Sequence, residues 1–167
     1  AQIDIKEGDV EKAKKALTEA TVVVVFDATG SMEDFANETA KSIGAAVNSL
    51  PAHVVEKSRM GFVFYRDAGD TEKLVAVPPI PVAEAAQALG EAAGLMTGGG
   101  DVAEPLLDAT YYAAHIYDWS AGKGGAKQTQ GRRILIGVLN EDAHPATTGT
   151  LDDKGRIPAG LDVNSIA

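Results

Sequence analysis

Three oxygen-bearing side chains fall at alternate positions in Asp27-Ala28-Thr29-Gly30-Ser31, directly after the apolar run Val22-Val23-Val24-Val25-Phe26. One carboxylate and two small hydroxyls on a strand-to-helix turn make an oxygen-only donor set, which suits a hard divalent cation such as Mg²⁺. Further carboxylates follow later segments of the chain. Asp67 comes after Met60-Gly61-Phe62-Val63-Phe64-Tyr65, and Asp101 and Glu104 come after Gly98-Gly99-Gly100. Asp142 comes after Ile134-Leu135-Ile136-Gly137-Val138-Leu139. Carboxylates gathered without lysine or arginine among them repel strongly unless a cation sits between them.

The elements that must bring them together are legible as hydrophobic patterns. A short continuous apolar run reads as a strand buried on both faces, which fits residues 22–26, 60–65 and 134–139. Met32, Phe35, Thr39, Ile43, Val47 and Leu50 recur at helical spacing until Pro51 stops the run. Leu74 to Ile80 reads as a strand returning antiparallel, and Pro78, Pro79 and Pro81 place it at a sheet edge, where a missing N–H is tolerated. Val82 to Ala93 is an alanine-rich helix. Glu104 to Trp119 is another, with Leu106, Thr110, Ala113 and Tyr117 on one face. The tail to Ala167 is mostly loop, with Val163 to Ile166 beginning a helix. Alternating strands and helices predict an α/β fold of three layers, doubly wound, with a mainly parallel sheet and an antiparallel edge strand. Ligands of such sheets collect outside the carboxyl ends of the strands, which is where these polar groups fall.

Bulk properties narrow the function further. The 167 residues predict one domain over 21–167, preceded by a polar, lysine-rich helical lead-in over 1–20. A formal charge of −9, from 24 acidic and 15 basic residues, disfavours nucleic acid, which needs basic patches. The absence of cysteine excludes thiolate metal sites and thiol catalysis. No run has the length of a membrane-spanning helix, so no membrane insertion is expected.

In these residues the chain resembles a von Willebrand factor type A domain of bacterial type, similar also to integrin β-subunit domains. Asp27-Ala28-Thr29-Gly30-Ser31 matches the first motif of that family's metal-ion-dependent adhesion site. Gly99-Gly100-Asp101-Val102-Ala103-Glu104 matches the loop whose glutamate meets the metal, with Ala103 where proline is usual. Tyr65-Arg66-Asp67 matches a bacterial segment, and Asp142-Ala143 matches the last metal-site loop. By strand register Asn140 is the alternative to Asp142. The resemblance implies a Mg²⁺ site, with Mn²⁺ or Ca²⁺ as alternatives. It would be held by Thr29, Ser31 and Glu104, with Asp27 and Asp142 acting through water. A second cation site would use Asp67 and Asp101, although Gly99 stands where the integrin-type domains offer asparagine. The family normally continues through a further helix and strand, so the chain reads as C-terminally truncated.

Plainer readings compete at several of these positions. Ser31 also fits a helix cap with Asp34 three positions on, and Asp101 with Glu104 fits a second cap. Asp67 also fits a pair with Arg66. His144 reads as a loop histidine, and His53 and His115 as structural or exposed. The resemblance implies a non-enzymatic adhesion or protein-binding module that takes a partner's acidic side chain through the metal, alongside other domains of a parent protein. The compartment stays open, and only the family's adhesive uses lean to an extracytoplasmic location or the cell surface. One alternative is a Mg²⁺-dependent phosphohydrolase of the haloacid-dehalogenase type, although Thr29 stands where such enzymes carry a second aspartate. The other is an intracellular scaffold module of an ATPase-associated assembly.

Overall fold

The computed structural model describes residues 20–67, 69–98, 103–121, 132–139 and 142–166, with the backbone alone at 103, 104 and 142. Its strands are β1 (Ala20–Asp27), β2 (Arg59–Tyr65), β3 (Leu74–Pro81), β4 (Ala103–Glu104), β5 (Arg132–Val138) and β6 (Asp142–Ala143). The main sheet has the order β3-β2-β1-β5, and β4 with β6 forms a separate pair. β1 runs parallel to both β2 and β5, whereas β3 runs antiparallel to β2. The α/β architecture expected from the sequence is therefore the fold. The expected lead-in helix lies outside the described residues, except that Ala20 already belongs to β1.

Strand pleating divides the valines of β1 between two apolar layers. Val24 and Phe26 join Phe62 and Phe64 of β2 on one face, under α1 (Glu33–Ser49) and α3 (Val82–Ala93). Val23 and Val25 join Val63 and Tyr65 on the other. That second face is covered by α4 (Leu106–Tyr111), a π-helical continuation Tyr112–Ile116, and Leu151 and Ile157 from the C-terminal segment. The short helices α2 (Ala52–Lys57) and α5 (Val163–Ile166) complete the described elements. Among the described residues no helix is long and apolar enough to cross a membrane.

Three details differ from the sequence reading. The buried face of α1 is Ala36 and Ala40, following Met32, and not the large residues of the periodic set: Phe35 is 51% and Leu50 42% exposed. Small side chains there let α1 lie close along α3. Strand β5 is not buried on both faces, because Ile134 and Ile136 are 41% and 44% exposed and β1 is its one partner in the described sheet. The helix expected from Glu104 starts only after Pro105, since Glu104 is drawn into a strand.

Gly61 marks a shift in the β2–β3 register between Met60 and Phe62. There the Tyr117 hydroxyl donates to the Val77 carbonyl at 2.6 Å, in the space a Cβ on Gly61 would fill. Gly61→Ala is expected to cost about 1–3 kcal/mol in urea unfolding, and less in a Tyr117→Phe background. Burial raises the Tyr117 phenol well above the usual tyrosine range. The unfolded chain then releases that proton first. This contribution to stability is thus complete below about pH 10 and is lost as pH rises further, at up to about 1.4 kcal/mol per pH unit. Comparing wild type with Tyr117→Phe above about pH 10 isolates it.

Candidate metal centre

The parallel register fixes which loops share an edge. Asp27 pairs in register with Tyr65, and Phe26 with Val138, so the loops after β1, β2 and β5 leave the sheet at one level. The Ala28 N–H donates to the Tyr65 carbonyl at 2.8 Å, which sets the first loop beside Arg66 and Asp67. The Gly30 N–H donates to the Gly98 carbonyl at 3.3 Å and ties the same loop to the segment leading to β4.

Within the first loop the three motif residues are brought together. Asp27 is fully buried, and its Oδ1 accepts the Thr29 N–H at 2.8 Å. Thr29 is buried and Ser31 exposed, with their hydroxyl oxygens 3.2 Å apart. Mg²⁺–oxygen bonds of 2.0–2.1 Å put neighbouring vertices of an octahedron roughly 3 Å apart, so two hydroxyls at this spacing fit adjacent positions on one ion. Ser31 lies inside a 3₁₀ turn, Gly30–Met32, and not at a helix cap. The cap positions Thr29 and Met32 make no side-chain cap bond either, which corrects the capping expectation.

The other predicted positions are placed by the backbone. β4 and β6 are parallel neighbours, with Ala103 opposite Asp142 and Glu104 opposite Ala143. Their spacing of about 4.8 Å brings the Glu104 and Asp142 loops side by side. Asp142 follows Val138 closely enough that the chain between them spans at most roughly 14 Å. The side chains of Glu104 and Asp142 lie outside the described residues, as do Asp101 and the alternative Asn140. Asp67 is buried at the end of β2. His115 Nε2 lies 3.0 Å from the Ile166 carbonyl, a structural contact, and His53 is exposed on α2. Among the described residues no three acidic or histidine side chains surround a common point.

Two carboxylates were missed by sequence reasoning. Asp70 sits against Gly98, whose φ of +86° and lack of a Cβ admit it. Its Oδ2 is shut off from solvent without a hydrogen-bond partner among the described residues. An unexplained buried anionic oxygen beside the first loop is compatible with a nearby cation. Its one signal in the sequence was membership of the polar turn after β2. Asp108 is fully buried in α4 and has a structural role. It accepts from Thr148 N–H at 2.7 Å, Gly149 N–H at 2.7 Å and the Thr148 hydroxyl at 3.1 Å.

No known family model matches the sequence, and no curated protein matches it. Among solved structures the fold is similar to part of the pilus adhesin SpaC from Lactobacillus rhamnosus GG in its open conformation. The TM-score is 0.50 at 17% identity, over 73% of this chain and 14% of the adhesin chain. A second crystal structure of SpaC gives a TM-score of 0.47 at 17% identity, over 71% of this chain and 15% of that one. The chain therefore spans a small part of the adhesin's length, and the likeness is one of fold.

Proposed function

We propose that the chain is a non-enzymatic, divalent-cation-dependent binding module that recognises a partner's carboxylate through a Mg²⁺ ion. What carries the reading is the first loop, in which a buried carboxylate and two hydroxyls 3.2 Å apart occupy the carboxyl edge of a parallel sheet. Thr29 and Ser31 would bind the ion directly, with Glu104 from the neighbouring loop. Asp27 and Asp142 would act through water and leave one position for an outside oxygen. Neutral hydroxyl ligands leave the ion electrophilic enough to attract an incoming anion. A second ion near Asp67 and Asp101 would have Asp70 at hand as well. The resemblance to von Willebrand factor type A domains and the fold shared with a pilus adhesin support an adhesive role at an extracytoplasmic surface.

Calorimetric titration of Mg²⁺ and Mn²⁺ into wild type and Ser31→Ala tests the site. Wild type should bind one ion in the first site, and Ser31→Ala should bind it about tenfold more weakly, since water replaces one ligand. An absence of binding in wild type, or equal binding by the variant, would overturn the reading. A phosphohydrolase finds less support, because Thr29 offers a hydroxyl where an acid–base carboxylate is needed.

A further inference from the structure

The loop that carries Asp27, Thr29 and Ser31 opens sideways onto an apolar groove. A cavity of about 650 Å³ lies between β2, β3 and the end of α3, within the size range of ligand pockets. Phe64, Val75, Val77 and Leu95 form its apolar walls, Ala28 lines it from the metal loop, and Thr97 from the segment leading to β4. Ala28 stands between Asp27 and Thr29, and Thr97 precedes the Gly98 whose carbonyl holds Gly30. Groove and loop are therefore continuous. Leu95 is 70% and Val75 41% exposed, so the fold leaves apolar surface in water here with no structural gain.

The charges around the groove select its occupant. Arg66 follows Tyr65, whose carbonyl holds Ala28, and its Nη2 donates to the Leu95 carbonyl at 2.8 Å. The Arg66 backbone thus adjoins the metal loop while its guanidinium is fixed on the groove wall against Leu95, and together with a bound cation it favours a partner segment that carries an acidic group. Glu72 and Glu91 also line the groove and disfavour a second acid inside it. A second copy of a chain carrying −9 is a poor occupant for the same reason. We propose that the groove receives a large apolar side chain of the partner, adjacent to the carboxylate taken by the metal. The recognised element is then an acidic–apolar residue pair in an extended segment. This rests on the metal-dependent reading and deepens it.

The test uses the blocked dipeptides N-acetyl-Asp-Leu-amide and N-acetyl-Asp-Ala-amide, with the same pair in reversed order. Each is titrated into the protein in Mg²⁺ and followed by NMR chemical shifts. Burying the extra methylenes of leucine should tighten binding about tenfold over alanine in at least one order. Leu95→Ser and Val75→Thr, both at exposed positions, should reduce that preference to within about twofold while the alanine peptide binds as before. Equal binding of leucine and alanine peptides, an undiminished preference in both variants, or no binding of any peptide would overturn the groove. A leucine preference that survives chelation of the metal but is lost in the variants would uphold the groove and overturn the metal reading. Binding that requires Mg²⁺ but ignores leucine would do the reverse.

Discussion

In Mg²⁺ at about a hundred times its dissociation constant, wild type is expected to gain about 2.7 kcal/mol of stability, and Asp27→Asn to gain about 0.4 kcal/mol or less. The contrast follows from how Asp27 is held. Its Oδ1 accepts the Thr29 N–H at 2.8 Å, and an asparagine oxygen can keep that bond and with it the shape of the loop. What asparagine removes is the negative charge of a fully buried group. Without it, the first loop offers the ion only neutral oxygens, and the dehydration of the ion must be repaid by Glu104 and Asp142 from the neighbouring loops. Metal affinity should fall at least a hundredfold, and binding of a carboxylate-bearing partner with it. The fold without metal should be intact, because asparagine has nearly the same shape and its oxygen keeps the bond from the Thr29 N–H. Thermal unfolding with and without Mg²⁺ reads both effects. A variant that gains as much stability from the ion as wild type would remove Asp27 from the site and with it the proposed chemistry.

Much of the framework that positions Asp27 was legible because its signals are local. The apolar runs of β1 and β2, the prolines of β3 and the span of α3 each identify an element within a short window. The first loop was legible for the same reason, since Asp27, Thr29 and Ser31 are separated by single residues. Periodicity failed where packing uses small residues: Ala36 and Ala40 carry the buried face of α1 while the larger Phe35 stays half out. It failed again on β5, whose apolar composition suggests burial on both faces, whereas the face that carries Ile134 and Ile136 meets water. Local pattern places Glu104 in a helix because its partner across β4–β6, Ala143, is remote in sequence. The same limit hid Asp70 against Gly98, a contact made only once the loops have assembled.

Asp108 is the clearest case of a residue whose role is invisible until the chain folds, and its removal should be strongly destabilising. Its two oxygens serve donors some forty residues away: Oδ2 accepts Thr148 N–H, and Oδ1 accepts both Gly149 N–H and the Thr148 hydroxyl. These bonds fasten the segment that delivers Leu151 and Ile157 to the second apolar layer. Asp108→Ala would strand two backbone donors and open a void beside Ala109, at an expected cost of about 3–5 kcal/mol. That is a large share of the roughly 5–15 kcal/mol a domain of this kind possesses. Asp108→Asn is informative because it is nearly isosteric. Its oxygen can keep the bonds to Gly149 and the Thr148 hydroxyl, but its amide nitrogen then faces the Thr148 N–H, donor against donor. We expect a loss of about 2–3 kcal/mol, smaller than for alanine. Urea unfolding gives the ranking, and limited proteolysis should cut first within residues 144–162 as that segment loosens. Equal stability of Asp108→Asn and wild type would mean that the carboxylate does not anchor the segment.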